Sequence, residues 1–253
     1  MIKHIYRSKL DIENLSRLKT NVYKDVDEFD YKKIVVNKPW GYEYLMFENQ
    51  FVAIWILFIK SGFSTSMHCH PSKKTSLVVL SGKAICNTLQ GPIKRKDKEG
   101  LLIDEGVFHS TKAVSKDGAF VMEMEAPPNK KDLVRLKDEY GRENKGYEGK
   151  NEMSIKIGKY EYIDFHDFDF KKKITKILKK SKLSIIANKK PSLIKKALGS
   201  LSGMVCLLEG KIHDSKGDVL LSVGEACTIE KFKLNSTISI TNDIILLIVT
   251  NNE

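Results

Sequence analysis

The sequence predicts an all-β chain arranged as a tandem pair of β-barrels, on three observations. From Ile34 onward, short runs such as "GYEYLMF", "FVAIWILFI", "TSLVVLSG", "KAICNTL", "GLLIDEG" and "AFVMEMEA" follow one another with Gly, Asn, Lys or Asp between them, the texture of strands joined by turns. βαβ units would need helical stretches between these runs, so a sandwich or barrel is favoured. The two halves also echo each other, "LVVLSGKAI" against "VCLLEGKIH", "GLLIDEGVFHSTKA" against "DVLLSVGEACTIEK" and "GAFVMEME" against "DIILLIVT". Repetition of a whole β-unit points to two similar barrels.

Taken in order, residues 1–33 read as a polar, partly helical extension, with Ile12, Leu15 and Leu18 near one face and Asp11 or Asn14 as candidate caps. Residues 34–150 form the first barrel, closed by "NKKDLVRLKDEYGRENKGYEG", which reads as a helix with a Gly-rich exit. Residues 151–253 form the second barrel. Within it, residues 171–200 are strongly basic with interspersed Ile and Leu, and read as a solvated helical or loop connector.

A formal charge of +11 suits nucleic acid, an anionic membrane surface or phosphorylated small molecules, and it equally suits a general bias toward lysine. The basic stretch carries lysines without interleaved aromatics and no nucleic-acid-binding motif, so nucleic acid is not expected as a partner. The longest apolar runs, "FVAIWILFI" and "IILLIV", are strand-length and too short to span a bilayer. Cys69, Cys86, Cys206 and Cys227 show no CxxC pairing, and the N-terminus lacks the apolar segment of a signal peptide. The expectation is a cytoplasmic protein with free thiols.

Against that background one stretch stands out: "GFSTSMHCHP", which places His68 and His70 one residue apart in a chain with six histidines. The pattern around it resembles the cupin superfamily of double-stranded jelly rolls, whose first motif runs G-x5-H-x-H-x3,4-E-x6-G and whose second runs G-x5-P-x-G-x2-H-x3-N. Gly62, His68, His70 and Gly82 keep every spacing of the first, with Thr75 in place of the glutamate. In the second, Gly106 and His109 fit, while Asp104 replaces the proline and Ala113 the asparagine. Alternation along a strand turns His68 and His70 to one face and Cys69 to the other. With His109 from a neighbouring strand, three neutral imidazoles would suit a divalent transition metal: Zn, Fe, Ni, Cu or Mn.

A narrower resemblance covers residues 38 to about 149. "KPWGYEYL", "MHCHPSKKTSLVVLSGKA", "DEGVFHS" and "DLVRLKDEYGR" look like the cupin domain of type II mannose-6-phosphate isomerases. The resemblance implies a phosphorylated sugar or nucleotide sugar as substrate, in surface carbohydrate metabolism, and a homodimer. Isomerisation needs a Lewis acid and a base that moves a proton between neighbouring carbons; Glu123 on "VMEME" is the candidate base. Lys83, with Lys73 and Lys74, and the guanidinium groups of Arg135 and Arg142 are candidates for phosphate. Trp40 and Tyr42 are candidates for stacking on a sugar ring, although Trp40 equally suits a plug at the barrel end.

Two other functions fit the same residues. Loss of the glutamate moves the ligand set toward three-histidine iron dioxygenases, and a non-catalytic sugar-binding or sensor protein needs no turnover at all. In the second half, Lys196, Leu198 and Cys227 stand where the three histidines would be, with Gly210 and Gly224 matching Gly82 and Gly106. The second unit is therefore expected to be a degenerate barrel that holds no metal.

Overall fold

A strand buried on both faces needs apolar side chains at successive positions, and "FVAIWILFI" supplies them. In the computed structural model, which describes residues 1–18, 29–143, 146–169, 171–234 and 238–252, this run is a central strand. Residues 19–28 of the N-terminal extension lie outside the described residues. The first unit consists of β1 (Ile2–Ile5), α1 (Lys9–Arg17), β2 (Val35–Lys38), β3 (Gly41–Glu48), β4 (Ala53–Ile59), β5 (Met67–Cys69), β6 (Lys74–Ser81), β7 (Lys83–Thr88), β8 (Gly91–Lys96), β9 (Gly100–Ile103), β10 (His109–Ala113), β11 (Ala119–Ala126), β12 (Val134–Lys137) and β13 (Met153–Ser154). The second consists of β14 (Ile174–Leu178), β15 (Ser181–Asn188), α2 (Pro191–Leu198), β16 (Met204–His213), β17 (Val219–Leu221), β18 (Ala226–Thr228), α3 (Ile229–Leu234) and β19 (Ser239–Asn251).

The expected all-β architecture is present. In the first unit, β4-β11-β6-β9 and β5-β10-β7-β8 form two facing antiparallel sheets, the strand order of a jelly roll. The first sheet is widened by β3, β2 and β13 at one edge and by β1, parallel to β9, at the other. The second is widened by β12, which pairs β5. The segment read as a closing helix is thus partly a strand, because its alternating Val134 and Leu136 serve a sheet edge.

The second unit has one sheet, β14-β15-β19-β16-β17, with β18 also on β16. The order β15-β19-β16-β18 repeats β4-β11-β6-β9, but α2 and α3 cover the face where the first unit has its second sheet. Residues 171–200 are not a connector: they hold β14, β15 and α2. Alternation in "ITKIL" buries Leu178 and turns Thr175 and Ile177 to solvent, while Lys176, on the Leu178 face, is half-buried and pairs with Asp164 at 2.8 Å.

These sheets stack in layers with three apolar cores. Trp55, Leu57, Leu77, Leu101 and Val121 fill the interior of the first unit. Ile54, Ile56, Val78, Met122 and Met124, the alternate positions of the same strands, pack on Leu183, Met204, Leu247 and Val249 of the second unit. Ile186, Val205, Leu207, Leu246 and Ile248 face the helices and their Ile194, Leu198 and Phe232. The N-terminal helix is capped by Ser8, whose side chain accepts from the Asp11 N–H while Asp11 reaches back. Asp11 also accepts from Phe108 N at 2.9 Å, which anchors the loop leading into β10.

Candidate metal centre

The three histidines meet inside the jelly roll. His68 lies on β5, His109 opens β10 directly opposite it in register, and His70 follows two residues after His68. Their potential ligand nitrogens all lie within 4.8 Å of one another. Cys69, between the pair, is buried on the opposite face. Gly106, at φ +73°, turns the chain between β9 and β10, and its N–H bonds to His70 O at 2.7 Å, tying the two histidine-bearing segments together.

Each ring is held from behind in the same way. His68 Nδ1 meets Ser66 O at 2.8 Å, His70 Nδ1 meets Asp132 O at 2.6 Å and His109 Nδ1 meets Val107 O at 2.9 Å. A backbone carbonyl can only accept, so each Nδ1 is the protonated nitrogen and each Nε2 keeps its lone pair. Burial favours the same neutral form: His109 is lowered to about 4, and His68 and His70 stand well below the usual histidine range. Three neutral, pre-oriented nitrogens fit a divalent transition metal.

Across the barrel, β11 turns Glu123 and Glu125 inward and Met122 and Met124 outward. Glu123 Oε1 lies 3.7 Å from His70 Nε2. Burial, and then the charge of Glu125, push the Glu123 carboxyl up to about 7. The neighbouring acids behave differently because cations meet them. Glu125 takes Lys73 at 2.9 Å and Lys130 at 3.4 Å, and despite its burial it is lowered. Glu43 faces Lys130 at 3.3 Å, Lys38 at 3.4 Å and the Tyr147 hydroxyl; burial alone would raise it, but Lys130 and Lys38 hold it at about 2. Glu148 pairs with Lys38, Arg135 and Arg142. Lys130 also sits over the Trp55 ring, 3.5 Å from its centroid.

Triad and ion-pair ring line one cavity of about 60 Å³, room for an ion and a few waters or the reacting end of a small polar molecule. Of the residues offered for sugar or phosphate contact, Trp40, Arg135 and Arg142 line it. Lys73 lines it too, but buried and engaged by Glu125 and Asn129 O. Arg142 is committed to Asp138 at 2.7 Å and Glu148 at 2.7 Å. Lys83 and Tyr42 line a different cavity at the junction of the two units. Tyr42 alternates to the outer face of β3, against Phe58 and Tyr160, and Lys83 is exposed at the start of β7.

Sequence reasoning missed Lys38, Glu43, Glu125, Lys130, Tyr147 and Glu148. The available signal was Glu43 and Glu125 at inward-facing positions of strands otherwise buried on both faces, which obliges cations to come in with them. In the second unit, Leu198 and Cys227 are buried in the apolar core and Lys196 lies on α2. Among the described residues the triad is the one cluster that could hold an ion.

The sequence matches no protein-family profile and no curated protein. Solved structures with similar coordinates include an uncharacterized protein with a double-stranded β-helix domain from Klebsiella pneumoniae (14% identity, 48% of this chain and 96% of that one, TM-score 0.36). An RmlC-like cupin from Shewanella frigidimarina (13%, 42% and 94%, TM-score 0.35) and KdgF from Halomonas (12%, 43% and 93%, TM-score 0.35) are similar to the same extent. The jelly-roll assignment rests on strand order rather than on these likenesses. Among the described residues no helix is long and apolar enough to cross a membrane.

Proposed function

We propose that the chain is a metal-dependent cupin enzyme of the mannose-6-phosphate isomerase type, acting on a sugar phosphate or nucleotide sugar. The observation that carries the metal reading is the set of three carbonyl-pinned imidazoles whose Nε2 atoms are left to converge. His68, His70 and His109 would hold a divalent transition metal, which as a Lewis acid polarises carbonyl and hydroxyl oxygens. Glu123, the carboxylate nearest the triad, is placed to take and return the proton. The cavity admits the reacting end of a sugar, so the phosphate or nucleotide would remain outside it; Arg135 and Arg142 line the cavity already engaged with carboxylates.

The test is elemental analysis of protein purified anaerobically, followed by a mannose-6-phosphate to fructose-6-phosphate assay on the metal-loaded form. About one transition metal per chain is expected, with both metal and turnover lost in His68→Ala. Metal-free protein with full activity would overturn the proposal. Thr75 at the motif's carboxylate position and the small cavity favour a second reading, an iron-dependent dioxygenase of a small substrate. Oxygen uptake by the Fe(II)-loaded protein without isomerase activity would select it.

A further inference from the structure

Resting on the metal-centre reading, we infer that Glu123 is the metal's fourth protein ligand, supplied from β11 in place of the carboxylate that the motif would put at residue 75. Three observations converge on it. Thr75 is buried on β6, on the inward side with Leu77, and its hydroxyl has no hydrogen-bond partner, so the motif's own position offers no anionic donor. Of the four carboxylates lining the cavity, Glu43, Glu125 and Glu148 each hold lysine or arginine, whereas Glu123 has no such cation within 4 Å among the described residues. Its near neighbour is His70 Nε2, itself buried and without a hydrogen-bond partner.

The spacing between the two discriminates. At 3.7 Å, Glu123 Oε1 and His70 Nε2 are too far apart for a hydrogen bond. Two ligand atoms about 2.1 Å from one tetrahedral ion stand about 3.4 Å apart. The His70 pair is near that spacing, while Glu123 lies outside the group whose ligand atoms are all within 4.8 Å of one another, so coordination requires its side chain to rotate toward His68 and His109. A largely buried carboxylate and a buried lone pair, with no lysine or arginine at the carboxylate among the described residues, are satisfied together by one cation between them. Coordination through Oε1 alone leaves the second carboxylate oxygen for proton transfer, so the ligand and acid–base roles are compatible.

The experiment uses the full chain, stripped with a chelator and titrated with Co(II) and Zn(II), and reads affinity and the visible Co(II) spectrum rather than turnover. Glu123→Gln preserves shape and is expected to weaken Co(II) binding more than about 100-fold, beyond the 10- to 100-fold typical of an outer-shell partner, and to change the Co(II) spectrum. Adding Thr75→Glu to that variant is expected to restore most of the affinity. Circular dichroism and a thermal melt verify that each variant is folded. Wild-type affinity and spectrum in Glu123→Gln would overturn the inference and leave the three-histidine centre standing. Absence of Co(II) and Zn(II) binding in the wild type would overturn both.

Discussion

The interiors of the two units are built on the same strand order and filled in opposite ways. In the first, β4-β11-β6-β9 faces a second sheet, and the space between them holds three histidines, four glutamates, three lysines and two arginines besides its apolar residues. In the second, β15-β19-β16-β18 faces α2 and α3, and the core is aliphatic apart from Phe232 and Cys227. In the first unit a loop brings the counterion to carboxylates that one sheet turns inward: Lys130, between β11 and β12, meets Glu43 of β3 and Glu125 of β11. Helices packed by their apolar faces offer no such partners, and among the described residues the second interior holds no charged side chain.

The contrast is broken most directly by removing one member of the charged ring. Glu43→Ala leaves Lys38, Lys130 and the Tyr147 hydroxyl without their shared acceptor and is expected to cost about 3–5 kcal/mol in urea unfolding. A loss under 1 kcal/mol would mean the ring is not a structural unit. In the aliphatic core, Leu207→Ala is expected to cost about 3 kcal/mol through lost burial and a cavity. Because no titratable partner is removed, that cost should be the same at pH 4 and pH 7.

Acid titration sharpens the difference further. Glu43 has its carboxyl lowered from the ordinary value near 4.5 to about 2. A lowered folded-state value means the unfolded chain binds the proton more readily. The stabilisation is therefore complete above about pH 4.5 and is lost as pH falls toward about 2, an effect of about 3 kcal/mol. Glu43→Gln should flatten that limb of the stability curve; a wild-type limb of unchanged steepness in the variant would assign the acid sensitivity elsewhere. The smallest effect concerns the seam between the units. Gly224 has φ +81°, a Cβ there would overlap Ala126 Cβ at the end of β11, and its carbonyl accepts from Ser76 Oγ at 2.7 Å. Gly224→Ala is expected to cost about 1–3 kcal/mol by thermal melt, and an unchanged melt would mean the seam is looser than the contact implies.

Several of these features were legible beforehand. Glycine and histidine spacing located His68, His70 and His109, and period-two alternation in "VMEME" put both glutamates on one face and both methionines on the other. The ion-pair ring was not legible, because Lys38, Lys73 and Lys130 come from separate segments and lysine ordinarily signals solvent. Residues 171–200 misled for the related reason that their many lysines, exposed Lys182 of β15 among them, outweighed the alternation of the strands that carry them.

The sequence by itself determined the all-β strand pattern and the three imidazoles, since each depends on spacing within one or two short segments. Only the tertiary structure decided that Tyr42 belongs to the seam, that helices replace the second sheet in the C-terminal unit, and that Glu123 stands beside His70 without a cation of its own. Those outcomes depend on which strand becomes whose neighbour across a barrel, and burial forces charges from distant parts of the chain to find one another there, a constraint that no local pattern records.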